Sequence, residues 1–333
     1  MAGNPCYAGP ASDHFDGERF FNPGPSTDKS LIDVLRWRFT SKFAKWPKHP
    51  PVTPIRPETR VENCRVTMVG HATVLIQIGG INILTDPVWS ERASPFAFAG
   101  PKRATAPGIA FSDLPPIDIV LLSHSHYDHL DLRTLRKLHH RDRPHLITPL
   151  GNDAIVRRAI PDIRVSAGDW GQRIDIDGGS TVTLVPANHW SARSTKDRRM
   201  ALWGGFMLRT PQALIYFAGD TGYGDGAIFR QMRADHGSPD LALLPIGAYA
   251  PRWFMAPQHA DPEEAVQILL DLEASQAIAI HWGCFQLTDE PREEPIDRLG
   301  KAMDDRGIRR ERFLALPAAS TFDMARVTQS ADY

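Results

Sequence analysis

The segment LLSHSHYDHLD, residues 121 to 131, sets three histidines and two aspartates within eight positions, directly after a short apolar run. Chance is a poor explanation in a chain where His is 13 of 333 residues. Imidazole nitrogens and carboxylate oxygens are ligands for zinc and iron, and neutral His is the commonest metal ligand in proteins. In an extended or loop segment His124 and His126 project to the same side and can share one ion, while Asp128 and His129 point onward. Zinc takes about four ligands, so a pair of ions needs further donors from elsewhere in the chain. Those donors are to be sought where His124 sits, just past a β-like run.

Three such places exist. TVTLVPANHW delivers His189, ALIYFAGDTGYGDG delivers Asp220, and QAIAIHWG delivers His281, each after a short apolar run rich in β-formers, as buried strands are. All would gather at the carboxyl ends of strands, where α/β sheets place their ligand sites. From Cys64 onward the pattern is regular. CRVTMVG, TVLIQI and INILTD predict successive strands with Gly79-Gly80 as a hairpin turn, IDIVLLS predicts the strand before the His-rich loop, and a helix is expected from about Asp131. Strands and helices then alternate, which makes residues 61–333 one α/β catalytic domain. Residues 1–60, rich in Pro, Gly and polar residues, predict an N-terminal arm or lid with one embedded helix.

Composition narrows the classes. A net charge of −1 argues against a general polyanion binder, so no nucleic-acid partner is expected. The three cysteines, Cys6, Cys64 and Cys284, are scattered without a C-x-x-C pair, which gives neither a disulfide framework nor a thiolate zinc site. No apolar stretch approaches the roughly 20 residues that span a bilayer, and the first residues lack a signal-peptide core. The expectation is a cytoplasmic protein, in peripheral contact with a membrane at most.

SHSHYDHLD, His189, Asp220 and His281, in that order and after strands, resemble the metal-ligand signature of the metallo-β-lactamase fold. GHATVLI, LTDPVWSERASPFAFAGPKR, LPPID, FAGDTGYGDG, PIGAYAPRWFMAPQHADPEEA and AIHWGCF narrow the likeness to the N-acyl-phosphatidylethanolamine-hydrolysing phospholipase D family, over roughly residues 61 to 290. The resemblance implies an αββα sandwich with a di-metal site at the strand ends. It implies two zinc ions, one held by His124, His126 and His189, the other by Asp128, His129 and His281, with Asp220 between them. It also places Tyr127, Gln258 and His259 beside a phospholipid substrate, and makes Asp128 and His259 the candidate catalytic residues. The implied reaction is hydrolysis of N-acyl-phosphatidylethanolamine to N-acylethanolamine and phosphatidic acid, and a homodimer is a further expectation. Hydrolysis of another phosphodiester, an ester or a lactone stays open. A di-iron oxidoreductase fits less well, because in that relative a Glu replaces the second motif histidine and here it is His126.

Other features carry two readings each. His71 in GHAT sits beside a strand and either supports the site or serves structure alone. The basic runs KDRRM and RTLRKLHHRDR read as solvated faces. Trp89, Phe96, Phe98, Trp253, Phe254 and Phe285 fall in loops, as core packing or as an acyl-binding rim. In LIDVLRWRFTSKFAKWPK a helix would put Ile32, Leu35, Phe39, Phe43 and Trp46 on one face and Arg36, Arg38, Lys42, Lys45 and Lys48 around the rest. That stripe either anchors the chain at an anionic lipid surface or packs on the catalytic domain. His259 lies just before Asp261, Pro262 and Glu264, which read as the N-cap, first residue and capping-box partner of a helix. That places it on a loop, unlike the strand-end ligands.

Overall fold

The computed structural model describes residues 3–24, 29–47 and 51–324. Its first helix, α1 (Leu31–Thr40), is opened by a capping box in which the Ser30 hydroxyl accepts from the Asp33 N–H. After it, β1 (Arg65–Gly70), β2 (Thr73–Ile78) and β3 (Ile81–Thr85) form an antiparallel meander. Gly79 and Gly80, both at positive φ, make the β2–β3 turn, where residues with a β-carbon are strained. β4 (Ile119–Leu121), β5 (His145–Pro149) and β6 (Val165–Gly168) add in parallel, linked by α2 (Leu132–Asp142) and α3 (Asn152–Ala159).

A second sheet repeats the plan. β7 (Arg173–Ile176), β8 (Ser180–Val185), β9 (Gly205–Arg209) and β10 (Leu214–Phe217) are antiparallel neighbours. β11 (Leu241–Pro245), β12 (Gln276–Ile280) and β13 (Phe313–Leu314) continue in parallel. Their crossovers are α4 (Ala227–His236), the single turn α5 (Arg252–Met255), α6 (Pro262–Asp271) and α7 (Glu294–Asp305). β14 (Thr321–Asp323) returns to pair with β1, giving two seven-stranded sheets.

The sheets pack face to face through Val66, Ile76, Ile83 and Ile147 on one side and Phe206, Phe217, Leu243 and Ile278 on the other. α2 and α3 cover the outer face of the first sheet through Leu135, Leu138 and Val156, and α4, α6 and α7 that of the second through Phe229, Leu269 and Met303. Both faces of each sheet are therefore buried, which is why the strands read as continuous apolar runs rather than as alternation. The result is an αββα sandwich, the architecture the resemblance implies.

The N-terminal residues pack into the body. Phe15 and Phe20 are fully buried against Trp203, Leu202 and Ala187, and Asn22 donates to the His189 carbonyl at 2.8 Å. α1 ends sooner than its apolar spacing predicts. The chain leaves the helix at Ser41, whose hydroxyl donates to Asp289, while the Ala44 N–H and the Trp46 indole donate to the carbonyls of Asp289 and Glu290 at 3.0 Å each. Phe43 and Trp46 thus lie beyond the helix, and Lys48 and the Arg38 side chain lie outside the described residues. Ile32, Leu35 and Phe39 do not pack on the catalytic domain: they are 77%, 55% and 84% exposed. Trp37, on another face, holds the helix to the body by stacking on Phe254 at 4.9 Å.

Candidate metal centre

Every donor singled out in the sequence lies just past the carboxyl end of a strand: His124 to His129 after β4, His189 after β8, Asp220 after β10, His281 after β12. Two more residues share that position. His71 follows β1 and Asp86 follows β3, and both, like His281, hold a positive φ (60°, 31° and 61°). Such backbone is disfavoured for residues with a β-carbon and clusters at functional sites. Gly219, beside Asp220, sits at φ 60° where a β-carbon would lie 2.6 Å from that of Ser123, so the strand ends meet here without room for a side chain.

His124, His126 and His189 form one donor group. His124 Nε2 and His189 Nε2 lie 2.9 and 3.2 Å from the same atom, His126 Nδ1. The far nitrogens fix the tautomers. Ser123 donates its hydroxyl proton to Asp86 at 2.6 Å, so it accepts from His124 Nδ1–H at 2.9 Å, and the Gln258 carbonyl accepts from His189 Nδ1–H at 2.9 Å. In the neutral rings both Nε2 atoms then carry lone pairs, and His126 has one proton to offer the two. Burial holds all three neutral, pulling His126 down to about 3 and His189 to about 4, with His124 also well below the ordinary value. Lone pairs converging without enough protons fit a cation.

The second group is built of opposite charges. Asp128 Oδ2 lies 3.3 Å from His281 Nε2 and 3.4 Å from His129 Nε2, and Asp220 Oδ2 lies 3.2 and 3.1 Å from the same two nitrogens. Asp220 Oδ2 also approaches His189 Nε2 at 3.7 Å, which sets it between the groups. Burial opposes charge here, yet Asp220 and Asp128 outweigh it and hold His281 up at about 9 and His129 well above the usual range. Against the same penalty, the imidazoles keep both carboxyls well below theirs. Asp86 accepts from His129 Nδ1–H at 2.6 Å, turning Nε2 toward the two aspartates. Protons hold this cluster together where a metal would replace them, and the donor set, two carboxylates and two imidazoles, suits a divalent ion.

Around these groups the substrate candidates separate. His259 sits on the loop before α6, whose capping box of Asp261 and Glu264 with Pro262 forms as expected. His259 Nδ1 is 3.9 Å from Asp220 Oδ2, buried and without a hydrogen-bond partner among the described residues, and burial holds the ring neutral. His189, Asp220 and His259 offer atoms within 4.8 Å of one another, so His259 is a geometrical candidate for a ligand as well. The Gln258 side chain accepts from the Trp190 indole. A groove of about 500 Å³ is lined by His189 and Gln258 together with Phe21, Val34, Trp37, Trp190 and Phe254, and by the charged residues Asp16, Lys29, Arg198 and Arg199. Arg198 lies 4.3 Å over Trp190, so part of the KDRRM run lines this groove instead of facing solvent alone. Tyr127 lines another cavity, of about 600 Å³, with Trp89 and Phe96. There the Arg193 guanidinium stacks 4.0 Å over its ring and donates to the carbonyls of Ser125 and Leu130 at 2.8 and 2.9 Å. Phe254 and Phe285 are core, and Phe96, Phe98 and Trp253 are exposed.

Residues 81–282 match the Beta-lactamase superfamily domain. Over 250 residues the chain is 38% identical to the N-acyl-phosphatidylethanolamine-hydrolyzing phospholipase D 1 of Caenorhabditis elegans, covering 72% of this chain and 70% of that one. An uncharacterized protein of Mycobacterium tuberculosis is 37% identical over 291 residues, 84% of this chain and 77% of the relative. Among solved structures, the isothiocyanate hydrolase from Delia radicum gut bacteria shares the fold with a TM-score of 0.61 at 21% identity, over 78% of this chain and 98% of that one.

Proposed function

Because the chain belongs to the beta-lactamase superfamily and is a metal-dependent hydrolase, we propose that it is a zinc phosphodiesterase of the phospholipase D type, cleaving N-acyl-phosphatidylethanolamine to N-acylethanolamine and phosphatidic acid. The observation that carries this reading is the groove that includes His189 in its lining and combines apolar walls with three cationic residues, Lys29, Arg198 and Arg199, against one acidic residue, Asp16. Such a lining suits an amphiphile with an anionic head. The name of the nematode relative supports the same substrate class.

His124, His126 and His189 would hold one ion, and Asp128, His129 and His281 the other, with Asp220 shared. When bound, a pair of divalent ions lowers the pKa of water and counters charge building on the phosphoryl oxygens. The chain's own contribution is orientation. Ser123, Asp86 and the Gln258 carbonyl fix which imidazole nitrogen faces inward, and Trp37, Trp190 and Phe254 would align the acyl chain along the groove. His259, neutral and beside Asp220, would hold the phosphate by a hydrogen bond or help protonate the departing ethanolamide oxygen by relay, taking up the water's proton at one ring nitrogen as it gives its own from the other. In the balanced reaction the water oxygen bonds to phosphorus, the bond from phosphorus to the ethanolamide oxygen breaks, and that oxygen takes a proton.

The substrate's source fits α1, whose exposed Ile32, Leu35 and Phe39 stand beside Arg36 and Lys42 on an outward face suited to an anionic lipid surface. Among the described residues no helix is long and apolar enough to cross a membrane, so this contact would be peripheral.

The test is hydrolysis in heavy-oxygen water by zinc-loaded protein, offered N-acyl-phosphatidylethanolamine, phosphatidylcholine, RNA and a lactone in parallel. Label is expected in phosphatidic acid and not in N-acylethanolamine, with the N-acyl lipid turned over fastest. Label in the alcohol product, release of free fatty acid, or preference for RNA or lactone overturns the assignment.

A further inference from the structure

We propose that His71 is a positioning residue of the metal centre, a clamp that fixes the Asp128 carboxylate through a hydrogen bond from Nε2; this rests on the metal reading above.

His71 closes the turn from β1 to β2 and is not among the seven donors that the resemblance implies. Its ring is buried, with Nε2 3.0 Å from Asp128 Oδ2. A carboxylate only accepts, so the neutral ring carries its proton on Nε2 and leaves Nδ1 bare. Nδ1 is buried and has no hydrogen-bond partner among the described residues, as the bare nitrogen of that tautomer would. What separates His71 from His129 and His281, which lie in the same donor cluster and also contact Asp128, is reach: those two approach Asp220 as well, at 3.1 and 3.2 Å, whereas among the described residues His71 pairs with Asp128 alone.

The ring is held where the clamp needs it. The His281 N–H donates to the His71 carbonyl at 3.0 Å, the ring packs on His281 at 4.0 Å between centroids, and it stands at 88° to Phe285 at 5.2 Å. The positive φ of His71 directs the side chain under these constraints rather than by backbone preference. A carboxylate has about four lone-pair sites, so Asp128 can accept from His71 and still serve an ion. Outer hydrogen bonds of this kind orient a ligand, and their loss costs about 10- to 100-fold in metal affinity.

The experiment strips wild-type, His71→Leu and His71→Gln protein with a chelator, confirms folding by circular dichroism, and titrates Zn2+ against a chromophoric competitor. Wild type is expected to bind two ions. His71→Leu should keep one site unchanged and weaken the other about 10- to 100-fold, while His71→Gln, whose amide N–H can reach the same carboxylate, should recover most of the loss. Two sites of wild-type affinity in His71→Leu would reduce His71 to packing. Complete loss of the second ion in both variants would make His71 a ligand and overturn the clamp. Wild type that binds no zinc would overturn the metal reading itself, and does so before any substitution is considered.

Discussion

His259 is where two roles for one imidazole come apart. It reaches Asp220 at 3.9 Å, close to the 3.7 Å of the strand-end donor His189, so distance does not tell the roles apart. Its place on the loop before α6, rather than at a strand end, favours a substrate-facing role over a ligand. His259→Asn is therefore expected to keep wild-type metal content by elemental analysis while turnover falls about 10²- to 10⁴-fold, the range for general acid–base groups; loss of an ion would make it a ligand. The gathering of His124, His189, Asp220 and His281 was legible because each stands just past a β-like run, a context a histidine in isolation lacks, and His126, Asp128 and His129 come with His124 in one loop. Asp86 carries the same signal, an Asp directly after the strand run INILT, yet its role emerges only when His129 and Ser123 are seen to converge on it. Arg193 had no such signal. Only the fold shows it stacked on Tyr127 and donating to the metal loop.

At the level of the element, α1 carries an exposed apolar face. Burying a side chain such as Leu35 or Phe39 stabilises by about 1.5–3 kcal/mol, so a helix that leaves both in water forgoes a sizeable sum for its own docking. Trp37 on Phe254, an aromatic pair worth about 0.5–1.5 kcal/mol beyond its buried area, and the Ser30–Asp33 box hold it instead. Leu35→Asp with Phe39→Asp should leave the melting temperature nearly unchanged and lower binding to phosphatidylglycerol vesicles at least tenfold in a sedimentation assay. Unchanged vesicle binding would remove the lipid surface from the proposal. The helix itself was legible from its 3.6-residue spacing; its end was not, because hydrogen bonds to Asp289 and Glu290 draw Ser41 to Trp46 away from helical geometry. Most strands were legible for the opposite reason, being buried on both faces. β6, β7, β13 and β14 were not, since they are the edge strands of the two sheets: β13 and β14 are only two and three residues long, and β6 and β7 carry polar residues open to water such as Ser166, Arg173 and Asp175.

For the whole molecule, the histidines make stability a function of pH with two opposed limbs. In metal-free protein burial pushes His71, His126 and His189 down to about 3, 3 and 4 and holds His124 and His259 well below the ordinary value too. The unfolded chain protonates these groups near 6.5, so their contribution is present above that pH and drains away below it. His281, at about 9, and His129 are raised, so theirs is complete below 6.5 and is lost as pH rises toward 9. The melting temperature of metal-free protein should peak near pH 6.5 and fall more steeply on the acid side, and saturating zinc should raise it more at pH 8.5 than at pH 6.5, because the ion takes the place of the protons on His129 and His281. Scanning calorimetry across pH 5 to 9 checks this; a zinc effect independent of pH would contradict it. The spread of the donors along the chain has a consequence in time. His124 to His129 are adjacent and can catch an ion as soon as they are made, whereas His281 arrives some 150 residues later and meets them only after both sheets have closed. Contacts so remote in sequence form slowly. An ion caught early would therefore wait, loosely held by a nascent chain, and the finished centre would be among the last things the protein makes.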